Sequence, residues 1–264
     1  MKILVIAFLA LAVGTARAQD DAEAKKKRVG ELLKQLSQAQ TEVKKLLEEL
    51  SGGDPEKMNE LMREITEKYA PELAGPLGRI QTAVNDRNAS ATLRTLATAE
   101  ADFRANDRDA NRVNDFWVAD VSGLYRIDAG GSIRLIEQAD ALADAKPCVP
   151  LDKEGLLPGA AKEHASKLVA MGKPAPKAGY WFAVIEKYQA EKGAEKGAEI
   201  RYNDGNGRSS AKFGLCAYPA EYGKTGKRTF ILNEENSVWA KDTGGKPPDV
   251  FPSAPEKAGW TRLD

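Results

Sequence analysis

Apolar residues recur along the amino-terminal third of the chain with the period of a helix. Val29, Leu32, Leu36, Ala39, Val43, Leu46 and Leu50 follow one another at alternating spacings of three and four, the a/d pattern of three heptads. Leu33 and Leu47 widen the stripe, which suits packing against neighbouring helices. Twenty-two such residues span about 33 Å at about 1.5 Å per residue. Ser51-Gly52-Gly53 ends this helix, and Asp54-Pro55 starts a second, with Asp as N-cap and Pro in the first helical position. Met58, Leu61, Met62, Ile65 and Tyr69 form its inner face. Pro71 and Gly75-Pro76 should break the pattern. Leu77, Ile80 and Val84 then predict a short third helix, and Ala91, Leu93, Leu96, Ala97, Ala99 and Phe103 a fourth, from Asn88 to about Asn106.

Beyond that point the pattern changes. Residues 116–127, FWVADVSGLYRI, read as a strand or as an irregular segment leading into one, and Leu142-Ala143-Asp144 as a helical turn. Residues 146–178 carry five prolines and read as a long irregular connection with one short helix near 160–171. Strands are predicted at Tyr180–Tyr188, Lys212–Tyr218, Lys227–Leu232 and Ser237–Lys241, paired antiparallel through short turns. The repeat EKGAEKGA at 191–198 reads as an exposed loop, and Asn203-Asp204-Gly205-Asn206-Gly207 as a turn. In the Pro- and Gly-rich tail, 244–264, Trp260 is the residue expected to dock. The expected class is α+β: a helical amino-terminal hairpin or coiled-coil module (20–86), followed by a helix packed on a small antiparallel sheet (87–264).

The first eighteen residues have the form of an export signal: Lys2, an apolar run from Ile3 to Val13, and Ala16-Arg17-Ala18 as a small-x-small cleavage site. The mature chain is expected to begin at Gln19, outside the cytoplasm, in the periplasm or secreted, with no transmembrane segment after cleavage near Ala18. Removing Lys2 and Arg17 leaves a net charge near −2. No global field then attracts nucleic acid, and Lys25-Lys26-Lys27-Arg28 reads as the solvated start of a helix. In an oxidising compartment the two cysteines, Cys148 and Cys216, can pair, closing a loop of about 70 residues worth about 4 kcal/mol, or remain thiols.

Few catalytic schemes fit. The single histidine, His164, is all that a Ser-His-Asp or Cys-His arrangement could use, and two cysteines with one histidine do not make a structural zinc site. No G-x-S-x-G, G-x-x-x-x-G-K-[ST] or G-x-G-x-x-G occurs; Gly223-Lys224-Thr225-Gly226-Lys227 lies between strands and reads as a hairpin turn. A carboxylate-dependent hydrolase needs only two acids, and candidates such as Glu186, Glu221, Glu234 and Glu235 fall on or beside the predicted strands. No catalytic, cofactor-binding or metal-binding residue is assigned, and no cofactor is expected. Strand alternation should turn one of Tyr180 and Trp181 outward, and Tyr222 lies in a turn.

NASATLRTLATAEADFRAND (88–107), FWVADVSGLY (116–125), GYWF (179–182), FGLCAYPAEYGKTGKRTFILN (213–233) and VWAKD (238–242) together resemble exported bacterial proteins with type IV pilin-like or pseudopilin-like soluble domains. The resemblance implies a helix packed on an antiparallel sheet and no catalytic residues. The chain departs from a pilin in its ordinary export signal and in the heptad-rich helix before residue 88. The expected role is non-enzymatic: envelope-associated protein–protein contact or scaffolding, by self-association or a protein partner at the amino-terminal helices, with Leu36 and Leu46 in the surface. The alternatives are a carbohydrate- or peptidoglycan-binding module using Trp181 and Tyr222, and a carboxylate-dependent hydrolase.

Overall fold

The computed structural model describes residues 22–69, 71–127, 133–147, 172–191, 196–203 and 205–263. The export signal, Cys148, His164, the short helix expected near 160–171, Asp204 and the middle of the 191–198 repeat lie outside the described residues. The protein is α+β and divides into two units, one ending at Gln81 and one comprising Thr82–Asp264.

In the first unit, α1 (Ala22–Ser51) and α2 (Pro55–Tyr69) contact each other across the Ser51–Asp54 turn. The turn is built as its residues require. Gly52 and Gly53 take φ of 64° and 81°, the left-handed conformation that ends a helix at low cost. Asp54 accepts a hydrogen bond from the Lys57 N–H at 3.3 Å, the N-cap contact that its position predicts. Met58, Leu61 and Met62 are half-buried, and Ile65 is exposed.

The third element departs from expectation. Pro71–Ala105 is one helix of 35 residues, α3, where Gly75-Pro76 was expected to interrupt and two helices were expected. Pro71 takes the first helical position, and Pro76 follows only five residues later. A proline removes the hydrogen bond to the residue four before it. Here that is a single bond in the opening turns, too little to end a helix of this length.

In the second unit α3 buries a continuous face: Ala89, Leu93, Leu96 and Phe103, with the polar Asn85, Asp86 and Glu100 on the same side. This face belongs to a core shared with a five-stranded antiparallel sheet. In order across the sheet its strands are β10 (Thr261–Arg262), β8 (Trp239–Asp242), β7 (Arg228–Asn233), β6 (Gly214–Pro219) and β2 (Tyr180–Val184). Strands β6 and β7 are central and almost wholly buried, which is why they read as runs, LCAY and TFIL, and not as alternation.

The expected strand Tyr180–Tyr188 divides at Ile185-Glu186. Its second half, β3 (Lys187–Gln189), joins a separate three-stranded sheet with β4 (Glu199–Arg201) and β9 (Val250–Phe251). The β3–β9 pair is parallel, as its long connection permits. Segment 116–127 contains a two-residue strand, β1 (Phe116–Trp117), paired with β5 (Arg208–Ser209), and a short helix, α4 (Gly123–Arg126). Another short helix, α5 (Gln138–Leu142), precedes Ala143–Ala145, which extends the free edge of β2 through hydrogen bonds to and from Phe182. Trp260 is buried, docking the tail, together with Phe251.

A polar clamp ties α3 to the sheet. Asp86 accepts from the Tyr180 hydroxyl at 2.5 Å and from Arg228 Nε at 2.7 Å, while Asn85 donates to the Thr225 carbonyl at 2.8 Å. Asp86→Ala leaves the buried Tyr180 hydroxyl with only the Arg228 carbonyl, and should lower stability by about 1–3 kcal/mol. A fall in the urea unfolding midpoint relative to wild type checks this; an unchanged midpoint would mean the clamp contributes nothing.

Candidate functional site

Three features carry the chemistry: the apolar stripe of α1, the aromatic residues of the large sheet, and a group of buried acids.

The stripe faces solvent. Val29 is 49% exposed, Leu32 39%, Val43 44%, Leu46 50% and Leu50 59%, whereas Leu47 and Ser51, to one side, are buried. Large apolar side chains in the middle of a helix face are rarely left so open in series. Leu46 thus stands where the heptad pattern puts it, and the Leu36 side chain lies outside the described residues. The charged positions of α1 are satisfied locally by exposed pairs such as Arg28–Glu31 at 3.4 Å and Lys44–Glu48 at 3.4 Å.

The aromatics split. Tyr180 is fully buried, and Trp181 is half-buried on the opposite side of β2. Trp181 stands in register with the half-buried Tyr218 of β6. Tyr222 is 48% exposed and held elsewhere, its hydroxyl 3.0 Å from both carboxylate oxygens of Asp242. The turn after β6 is closed by Gly223 N–H donating to the Gly226 carbonyl at 2.8 Å, and Lys224 pairs with Glu221 at 2.7 Å, the hairpin-turn behaviour expected of that segment.

Three of the four candidate glutamates take separate partners. Glu186 is 3.5 Å from Lys146, Glu221 pairs with Lys224, and Glu234 lies 3.4 Å from the Phe213 N–H and 3.8 Å from Lys212. Cys216 is a buried free thiol on β6, and burial pushes its pKa up to about 12. Cys148, the other half of the bridge considered, lies outside the described residues.

Periodicity does not reveal the acids in the core. They surround Trp117, which is fully buried. Its indole Nε1–H donates to Asp120 Oδ1 at 2.9 Å, and its backbone N–H donates to Glu100 Oε2 at 3.0 Å. Asp120 also accepts from the Gly123 N–H and the Ser122 hydroxyl, each at 2.8 Å. Asp144 accepts from the Ser122 N–H at 2.8 Å and the Lys146 N–H at 2.9 Å, joining this turn to the edge of β2. Gly123 is required here, because a Cβ at that position would overlap the Trp117 indole. On the other side Arg208, opposite Trp117 in the β1–β5 pair, binds the fully buried Asp109. Asp109 belongs to a turn in which Asp107 and Asp109 accept from the Asn111 N–H, and Asn111 Nδ2 reaches Asp109 and Asp115 at 3.2 and 3.1 Å.

Burial sets the protonation of these acids. It lifts Glu100 well above the usual carboxyl range, against the Trp117 N–H bond, and Asp120 and Asp115 add to the rise. Glu100 Oε1 is buried with no hydrogen-bond partner among the described residues, an arrangement that favours the neutral acid. Burial, then Asp120, raises Asp144 to about 6. Burial raises Asp109 too, with Arg208 opposing it. Among the described residues no group of three or more His, Cys, Asp or Glu is placed to hold a metal ion. The carboxylates are directed at the chain's own N–H groups and at Arg208, which makes them staples for the 115–123 segment.

The chain belongs to the family described as Protein of unknown function (DUF2950), whose model matches residues 78–254. No curated protein and no solved structure matches the chain. The DUF2950 match takes in the Trp117 acids, the Asp86 clamp and the Trp181–Tyr218 pair, whereas all of α1 precedes it.

Raised carboxyl pKa values in this DUF2950 region give stability a definite pH slope. A group that binds its proton more tightly when folded stabilises the fold below its unfolded pKa, and that contribution is lost as pH rises through the folded value. For Asp144 the window runs from about 4 to about 6, worth roughly 2–3 kcal/mol, and Glu100 extends the loss to higher pH. Urea midpoints should therefore fall from pH 4.5 to pH 7. Asp144→Asn should flatten the lower part of that slope and Glu100→Gln the upper. A midpoint that rises across the range would contradict the assignment.

Proposed function

We propose that the protein is an exported, non-enzymatic, envelope-associated interaction or scaffolding protein, and that the open apolar face of α1 is its contact surface. The exposed series Val29, Leu32, Val43, Leu46 and Leu50 carries this reading, because a soluble chain gains free energy by covering such a row. Export rests on Lys2, the apolar run after it and Ala16-Arg17-Ala18. Among the described residues no helix is long and apolar enough to cross a membrane. The finer expectations of a helical hairpin and a pilin-like second domain fit a protein that presents one association surface on a sheet-bearing body.

A photo-activatable residue at position 46, compared with one at Thr41 on the opposite side of α1, tests the reading in cells that export the protein. Position 46 should give a covalent adduct outside the cytoplasm and position 41 little or none. Equal labelling at both, or none at 46, would remove the contact surface.

The half-buried Trp181–Tyr218 pair favours a second reading, carbohydrate or peptidoglycan binding, since a glycan ring stacks on such faces. Peptidoglycan retention by wild type that is lost in Trp181→Ala would support it, and retention unchanged in that variant would count against it.

A further inference from the structure

We infer that the occupant of the α1 face is a second copy of this chain, laid antiparallel. This rests on the reading above that α1 is a contact surface, and adds the partner, its direction and its register.

The argument is one of charge along an apolar seam. In the heptad frame Val29, Leu36, Val43 and Leu50 occupy a, and Leu32, Ala39 and Leu46 occupy d. The two flanks differ. On the e flank, Leu33 is exposed, Gln40 half-buried and Leu47 buried, and none of the three carries a charge. On the g flank, Arg28, Gln35, Glu42 and Glu49 are all exposed. A partner helix must therefore be read against g.

An antiparallel copy sets a against d: Val29 against Leu46 of the second copy, Leu32 against Val43, and Leu36 against Ala39. The same register sets g against g, and so brings Arg28 beside Glu49 of the second copy, twice by symmetry, with Gln35 beside Glu42. A parallel, in-register copy sets g against e and yields no opposite-charge pair, since Arg28 meets Leu33 and Glu42 meets Leu47. It also places the two Lys25-Lys26-Lys27-Arg28 runs side by side. Existing partners offer little resistance to the exchange: Arg28–Glu31 at 3.4 Å and Lys45–Glu49 at 3.9 Å are exposed pairs within one helix, which contribute little. The symmetry is that of a closed two-fold dimer, so the face from Val29 to Leu46 is used up and no filament follows from it.

The test uses the mature chain with Cys148→Ser. One preparation carries Val29→Cys and another Leu46→Cys. On mixing and oxidation, the mixed disulfide dimer should form about tenfold faster than either chain bridges to itself; faster self-bridging of Val29→Cys would mean a parallel pair and overturn the proposal. In sedimentation the wild-type chain should dimerise. Arg28→Glu should weaken the dimer about tenfold, and adding Glu49→Arg should restore it. Circular dichroism confirms that each variant keeps its helix. Indifference of the dimer to Arg28→Glu overturns the register. A chain that stays monomeric yet forms an adduct with a different protein at position 46 overturns the second copy and leaves the contact surface standing. A chain that stays monomeric and forms no adduct overturns both.

Discussion

A buried tryptophan imposes a requirement that organises the second unit. The indole N–H of Trp117 and its backbone N–H are both removed from water, and each must find an acceptor or cost about 1–3 kcal/mol. Both acceptors are side-chain carboxyl groups, Asp120 from the turn that follows and Glu100 from α3. Meeting the requirement therefore attaches the 115–123 segment to the long helix. Asp144, bonded to the Ser122 N–H, attaches the same segment to the edge of β2, Asp120 holds Ser122 within the turn, and Arg208 with Asp109 closes the other side. Burying several acids carries a desolvation penalty, and the fold limits it in three ways: N–H donors for Asp120 and Asp144, a guanidinium for Asp109, and for Glu100 a pKa raised toward the neutral acid. The third is the least complete, since Glu100 Oε1 has no described partner.

What was legible in the sequence follows from which forces act locally. Helix starts and stops are local, so Gly52-Gly53, Asp54 and Pro55 stand where their chemistry puts them. Central strands are apolar on both faces, so β6 and β7 read correctly as short runs. Pro76 misled because a proline near the start of a long helix removes one bond from many. The break at Ile185-Glu186 was hidden because YWFAVIEKY keeps its β character across a change of sheet. The buried acids escaped because an aspartate looks the same in sequence whether it faces water or an indole. The available hint is position: Asp115, Asp120 and Asp144 each sit inside apolar or small-residue surroundings, DFWVAD and ALADA, where a solvated charge is out of place. Trp181 and Tyr222 both kept surface, yet strand register pairs Trp181 with Tyr218, a partner that alternation alone could not choose.

The two units treat polarity in opposite ways. The second hides charge and satisfies it, which gives a specific and rigid core. The first displays an apolar row and surrounds it with charge, the composition of a helix whose stability is completed by a neighbour. The DUF2950 match begins inside α3 and leaves α1 outside it, so the open apolar row and the acid-stapled body are distinct features of one chain.

The energetic scale of the row explains why charge would decide the geometry of the proposed antiparallel pair. A Leu or Val fully removed from water contributes about 1.5–3 kcal/mol, so side chains already half-covered contribute about 1 kcal/mol each. Summed over two copies this is comparable to the roughly 4–15 kcal/mol that association loses in translational and rotational freedom. Apolar burial alone would leave such a pair marginal and indifferent to direction, because a seam of Val and Leu packs tolerably either way. Charges near the ends of α1, basic at 25–28 and with Glu48 and Glu49 at the other end, then hold the balance: one direction brings unlike ends together and the other brings like ends together. A few exposed charges that would count for little within a single helix acquire their effect by choosing between two otherwise near-equal dockings.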